Sequence, residues 1–421
     1  MNVGKIVSVV EKKLKSRKGE SNLLGEIIKR ERLKNGYTQE LLADRSSISY
    51  YSKVENNKIK PSEFFVKEIG ERLGLDLTSV APDAVNDELY ESILQYFFYR
   101  DIQSLNQLKV NFTLPSQTTV FCTIEACINI ISKDLPVAKK NLDELETVIN
   151  TLDEPVLQLF VILSAIYTFS IGNYKETIQL LNVTELMDNL SLKLQPFQKH
   201  YFYLSYQLLN LKTNSMPYYY EAIMLHKANY QTHLQVELEL YRLLFALKES
   251  PEAIKLKIEK FNINHVPESH LNQYHYLNAL LNYHIRNDQA FSRSIKDILK
   301  LNHRNEWFYK AIVLTHDYEK NYHINLAINY KALIENIPND FRFILEKLYY
   351  NYRKLKTERD KRIFLKEIAI PEAKTRQSIE YLDFYHDELL AIYSKATRYK
   401  DALSSRRTYQ YYLEKLVEIN K

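Results

Sequence analysis

The chain has 421 residues, enough for two or three domains, and carries 57 Lys+Arg against 52 Asp+Glu for a formal net charge of +5. Its 45% hydrophobic and 26% charged residues form a globular balance that excludes wholesale disorder. Seven Gly are too few for an all-β fold or for Gly-rich phosphate and dinucleotide loops, and two Cys cannot staple a chain of this size, which suits a reducing, cytoplasmic compartment.

Residues 1–20, MNVGKIVSVVEKKLKSRKGE, read as a basic amphipathic arm. The apolar stretch is short and broken by Lys5, the charges follow it, and no small-residue cleavage site comes after, so it is not a secretion signal. Such an arm is placed either to add phosphate or minor-groove contacts or to pack on a partner. No run of 18 apolar residues follows anywhere, so no membrane span is expected.

Four short helices are expected between residues 22 and 77. Leu23 to Lys34 has Leu24, Ile27 and Ile28 at helical spacing and ends at Asn35-Gly36. Thr38 caps a second helix, Gln39 to Asp44. Ser46 or Ser47 caps a third that runs through Glu55, and Pro61-Ser62 open a fourth that stops at Leu73-Gly74. Residues 1–80 hold 16 Lys+Arg and 11 Asp+Glu, leaving 41 of each for the rest, so all the excess positive charge lies in the first fifth of the chain. A localised basic segment is the footprint of a polyanionic partner, because Lys and Arg release counterions from phosphates.

The run Leu24 to Arg32, then Gly36-Tyr37-Thr38-Gln39-Glu40-Leu41-Leu42-Ala43, then Ser49 to Lys58 and Pro61-Ser62, resembles the Xre/Cro-type helix-turn-helix. It departs from the commonest pattern in a slightly shorter stretch from Thr38 to Glu55 and in lacking the usual Gly between the second and third helices. The resemblance implies that the third helix enters the major groove of double-stranded DNA with its N-terminal residues at base edges. Ser47, Ile48, Ser49 and Tyr50 are the base-reading candidates. Gln39 suits a phosphate beside a helix N-terminus, and Lys53, Asn57, Lys58 and Lys60 suit further phosphate contacts. Tyr51 and Val54 are assigned to the core. One such module touches few bases, so a homodimer is expected.

From about residue 84 the pattern is helix after helix. Pairs fall near 84–111, 116–150, 154–187, 195–230, 234–262, 269–301, 305–337, 340–370 and 375–417, about 37 residues each, close to the tetratricopeptide period of roughly 34. The best local matches are Ala165-Ile166-Tyr167 with Gly172-Asn173-Tyr174, and Ile392-Tyr393 with Arg398-Tyr399. Such pairs bury their apolar faces only by stacking, which gives an α-solenoid with a concave face. The expectation is therefore an all-α protein: an arm at 1–20, a helix-turn-helix domain at 21–80, and a helical-repeat regulatory and dimerisation domain at 84–421.

That combination resembles the peptide-pheromone-responsive regulators of the PlcR, NprR, PrgX and Rgg group, whose repeats are shared with Rap phosphatases. The resemblance implies a transcription regulator in quorum sensing, with a short signalling peptide on the concave face that changes dimer geometry or DNA affinity. Inward positions of first helices give Tyr203, Gln207, Asn210, Arg242, Tyr309 and His316, with Asn278, Asn282 and Asn351 nearby. An Asn side chain can serve both the donor and the acceptor of a peptide unit, and Arg242 can hold a carboxylate. The alternatives are a Rap-like protein that binds a response regulator and a mobile-element repressor with another signal.

No HExxH, GxxxxGK[ST], GxSxG or CxxC pair occurs, so no catalytic residue, metal or cofactor is assigned and no enzyme is expected. Cys122 and Cys127 lie five apart on one helix without His partners and read as core thiols. The 11 His are scattered; His265, His270 and His275 do not share a helical face.

Overall fold

The computed structural model describes the chain except for residues 17–22, 44–46, 57, 76, 78–86, 111–118, 151, 188–189, 248–249, 262, 302, 339, 341 and 419–421. Every regular element among the described residues is helical. In order these are α1 (Val3–Ser16), α2 (Leu23–Lys34), α3 (Gln39–Ala43), α4 (Ile48–Glu55) and α5 (Glu63–Leu73). The pairs follow: α6 (Asp87–Phe98) with α7 (Ile102–Val110), α8 (Thr119–Ser132) with α9 (Leu135–Thr147), and α10 (Glu154–Ser170) with α11 (Tyr174–Glu185). Next come α12 (Gln195–Leu208) with α13 (Lys212–Ala228), α14 (Thr232–Leu247) with α15 (Pro251–Glu259), and α16 (Leu271–His284) with α17 (Asp288–Lys300). The last are α18 (Glu306–Tyr322) with α19 (Lys331–Glu335), α20 (Ile344–Lys354) with the α21–α22 helix, and α23 (Ile379–Lys395) with α24 (Tyr399–Val417). In the penultimate pair, α21 (Glu358–Phe364) runs through a π-helical stretch, Leu365–Ala369, into α22 (Ile370–Thr375).

The chain divides into two compact units, one of residues 1–170 with 176–201 and the other of 171–175 with 202–421. In the first, the helix-turn-helix core gathers Ile27, Ile28, Leu42, Tyr51, Val54, Phe65, Ile69 and Leu73. Helix α10 is apolar on every side and buried almost throughout, the sign of a helix with neighbours all round. Cys122 and Cys127 are buried on α8 and not joined in a disulfide, and burial pushes the Cys127 thiol up. In the second unit, one aromatic-rich core binds α16 to α20 and another holds the C-terminal helices.

Residues 3–16 are not a free arm. They form α1, whose Val3, Ile6 and Val10 are buried, and which packs against α9: the Asn2 amide donates to Glu146 Oε2 at 2.9 Å and Lys5 Nζ to Glu146 Oε1 at 3.3 Å. Lys13 donates to the Leu152 carbonyl. The stripe at positions 3, 6 and 10 is what a helix needs to dock, and the partner carboxylate lies some 140 residues away, beyond the reach of local pattern.

The seventh pair departs from the expected long second helix: only Lys331–Glu335 is helical. Glu319 holds the preceding segment open, accepting from the Leu326 amide at 2.9 Å and the Tyr330 hydroxyl at 2.7 Å. His323 and Ala327 have φ of 53°, which interrupts a helical register.

Gly-poor composition has a structural consequence at the turns between helices. Arg100, Lys133, Asn210, Tyr230, Arg286, Gln377 and Thr397 all take positive φ, between 47° and 61°, where a Gly is usual. Tyr230 is 86% exposed, so its ring contributes little packing to offset this. Tyr230→Gly is expected to raise unfolding stability by about 0.5–1 kcal/mol in a urea titration, the left-handed penalty less the entropy a Gly adds to the unfolded chain.

Candidate nucleic-acid interface

The third helix of the N-terminal domain, α4, is fixed at both ends. Ser47 is its N-cap, with Oγ accepting from the Tyr50 amide at 3.1 Å. At its far end Glu55, 1% exposed, receives Arg32 through Nε to Oε1 at 2.6 Å and Nη2 to Oε2 at 3.1 Å. Arg32 Nη1 also donates to the Tyr37 carbonyl at 2.9 Å. Gln39 Nε2 donates to Glu55 Oε2 at 2.5 Å. One buried carboxylate therefore ties α2, the following turn, α3 and α4 together.

The next helix is set as the sequence suggests. Ser62 Oγ accepts from the Phe65 amide at 3.3 Å, and Gly74 ends α5 at φ 68°. Arg72 Nη1 on α5 donates to the Leu42 carbonyl at 3.0 Å, closing α3 against α5. Within α5, Gly70 lies so close to the Leu75 carbonyl oxygen that an added Cβ would stand 2.6 Å from it.

What this frame leaves facing outward is the N-terminal end of α4. Ser47, Ile48 and Ser49 are exposed, Ile48 to 47%. Lys53, Lys58 and Lys60 are exposed as well and make no ion pair among the described residues. Asn57 and the turn 44–46 lie outside the described residues.

Two of the candidates have an internal task. Tyr50 is half-buried, edge-on to Phe65 at 5.2 Å, and its hydroxyl accepts from the Ser62 amide at 3.1 Å. It pins α4 to the start of α5, which leaves Ser47, Ile48 and Ser49 as the outward group. Gln39 gives its amide hydrogen to Glu55, so only its remaining polar valences face outward. Arg32 and Glu55 were not singled out from sequence. Their signal is two opposite charges at positions that the helical pattern turns inward, which a buried pair explains.

The candidates on the helical repeats fall into separate groups in the second unit. Tyr203 is 1% exposed, packed on Tyr219 at 5.2 Å. Arg242 lies over the same Tyr219 ring at 5.5 Å and is held by Glu239 at 2.9 Å. Gln207 donates to Ser215 Oγ at 2.8 Å. Asn210 is in the left-handed turn after α12, exposed, and not on a helix face. On α16, Asn278 donates to the Tyr274 carbonyl at 3.0 Å and Asn282 to the Asn278 carbonyl at 2.8 Å, so both amides are spent on their own helix. Tyr309 is buried against Phe343 at 4.5 Å, and partly exposed His316 meets Tyr350 at 5.2 Å. Asn351 is partly exposed on α20. The face of α18 through 309 and 316 thus packs on the next pair's first helix.

Among the described residues no helix is long and apolar enough to cross a membrane, and no group of three His, Cys, Asp or Glu side chains is placed to hold a metal ion.

Comparison with known proteins agrees with this geometry. The family profile described as Helix-turn-helix matches residues 28–80. The uncharacterized HTH-type transcriptional regulator YqaF of Bacillus subtilis (strain 168) is 40% identical over 67 residues, 15% of this chain and 88% of that protein. Among solved structures, the apo form of the quorum sensor NprR from B. thuringiensis superposes with a TM-score of 0.53 at 14% identity, over 78% of this chain and all of that one. NprR in complex with its cognate peptide NprX gives a TM-score of 0.62 at 14% identity, over 78% of this chain and 98% of that one. At that identity the likeness is one of fold alone. The domain match, the relative and the exposed end of α4 lead to one assignment: the chain belongs to the HTH-type transcriptional regulators.

Proposed function

We propose that this DNA-binding regulator acts in the cytoplasm as a homodimer and reads a specific operator with Ser47, Ile48 and Ser49. Lys53, Lys58 and Lys60, together with Asn57, hold the flanking phosphates. The repeats at 84–421 dimerise and bind a short signalling peptide that alters dimer geometry or DNA affinity. Arg242, Asn278, His316 and Asn351, each partly exposed on a first helix, are the side chains assigned to that peptide.

The observation that carries this reading is the contrast within α4. Its inner side is held by the Arg32–Glu55 ion pair and by Tyr50 against Phe65, while Ser47, Ile48 and Ser49 face solvent at its start and Lys53, Lys58 and Lys60 are exposed without an ion pair among the described residues. A rigid, exposed helix end is what major-groove readout requires, and lysine ammonium groups add the phosphate term.

The test is selection of duplexes from a random pool by the full chain, followed by anisotropy titration of the selected duplex. Preference of about 1,000-fold over a scrambled duplex is expected; a pool that never enriches would exclude the reading. Lys58→Ala is expected to weaken selected and scrambled duplexes alike and to reduce the slope of log affinity against log salt by about one. An unchanged slope would remove Lys58 from the phosphate contacts. Adding heptapeptides to the same titration tests the sensing half, since a regulator gated by peptide shifts its DNA affinity when the right one is present.

A further inference from the structure

Helix α24 has two unlike sides. One packs on the preceding helices: the Tyr409 ring stacks on His386 of α23 at 4.2 Å, the Tyr412 hydroxyl donates to the Lys374 carbonyl of α22 at 2.9 Å, and Leu416 is buried. The other side is open. Tyr399 is 68% exposed there and Leu403 52%, and Arg406, Arg407, Gln410 and Glu414 are exposed beside them.

The open side has an order that a merely solvated surface does not need. Tyr399, Leu403, Arg406, Gln410 and Leu413 succeed one another in steps of four, three, four and three residues. That spacing keeps side chains on one seam of a helix that pairs with another. Leu413 is half-buried, where the seam meets the packed side. A single exposed apolar side chain calls for no explanation, but Tyr399 and Leu403 lie one turn apart on the same side.

Arg407 and Glu414 flank the seam at the same heptad position, seven residues apart. That is about 10 Å along the axis, beyond the three- or four-residue reach within one helix. Neither side chain, nor those of Arg406 and Gln410, has a hydrogen bond or ion pair among the described residues. Other charges of the helix are matched locally, Arg398 with Asp401 at 2.6 Å and Lys415 with Glu418 at 3.3 Å. Two copies of α24 laid antiparallel about a two-fold axis match the rest. Leu403 of each meets Leu413 of the other, the Arg406 guanidinium reaches the Gln410 side-chain carbonyl, and Arg407 faces Glu414, each contact made twice. A parallel pair would set Arg406 against Arg406 in the seam, so the charges choose the antiparallel arrangement.

We propose that the open side of α24 is where a second copy of this chain docks, the two helices pairing antiparallel through Leu403 with Leu413, Arg406 with Gln410 and Arg407 with Glu414. The proposal rests on the reading that the repeats dimerise, and it assigns the surface that does so.

Sedimentation velocity of the full chain over a concentration series gives the dimer dissociation constant. Arg407→Glu and Glu414→Arg should each raise it about 10-fold, because like charges then face each other twice per dimer. Both positions are exposed, so the helical circular dichroism of each variant should match the parent's. An equimolar mixture of the two variants should associate as tightly as the parent chain, since every exchanged charge then meets its opposite. Leu403→Asp tests the apolar seam apart from the ion pairs and should raise the constant at least as much. A mixture no tighter than its components, or a dimer that none of the three changes weakens, would overturn the proposal while the dimer reading stands. A parent chain that stays monomeric throughout the series would overturn both.

Discussion

Replacing Arg32 by alanine lowers the stability of the helix-turn-helix by about 3–5 kcal/mol, the cost of stranding a buried carboxylate. Glu55 is 1% exposed and loses both of its Arg32 hydrogen bonds. Among the described residues the Gln39 amide remains to it, at 2.5 Å, and a neutral donor does not replace a guanidinium. The Tyr37 carbonyl loses its partner as well. Amide hydrogen exchange across residues 39–55 is the readout, because it isolates this domain from the repeats. Exchange there should accelerate by two to three orders of magnitude or more, and operator binding should fall with it. Replacing both partners by Met and Leu is expected to recover most of the loss, since an apolar pair strands no charge. An Arg32→Ala chain with unchanged exchange would show that the ion pair does not organise α4.

Ile48→Asp is expected to lower affinity for the selected operator by about 100-fold with little change in stability. Ile48 is 47% exposed at the first position of α4, so its removal opens no cavity. A base contact there is worth about 1–3 kcal/mol, and a carboxylate beside the phosphates adds repulsion at every sequence. Ile48→Ala separates the two effects, because it removes only the apolar contact. It should relax preference at one base position and leave scrambled duplexes bound as before. Equal affinity of the Asp variant and the parent chain, measured by anisotropy, would place DNA elsewhere on the molecule.

Much of the fold was legible because its signals are local. Ser47 and Ser62 cap helices through their hydroxyls, Gly74 terminates one in the left-handed region, and apolar spacing marks the helix pairs. What stayed hidden depends on partners far along the chain. The basic character of residues 1–20 suggested an arm, while Val3, Ile6 and Val10 and a pairing with Glu146 make residues 3–16 a packed helix. Tyr50 resembled a base reader by position, but the Ser62 amide and Phe65 claim it. On the repeats, a face that reads as inward by counting from the turns is the face that packs pair on pair at Tyr309 and Phe343. A single-residue shift of register turns a helix by about 100°, enough to exchange a packing face for an open one.

The most direct measurement is a pair of duplex selections from one random pool, by the parent chain and by a chain in which Ile48 and Ser49 are both replaced by Asn. Asn reads adenine through two hydrogen bonds, so the second chain should recover a different consensus, changed at adjacent base pairs and unchanged elsewhere. Recovery of the same consensus with the same affinity would contradict the assignment of α4 as the helix that reads DNA.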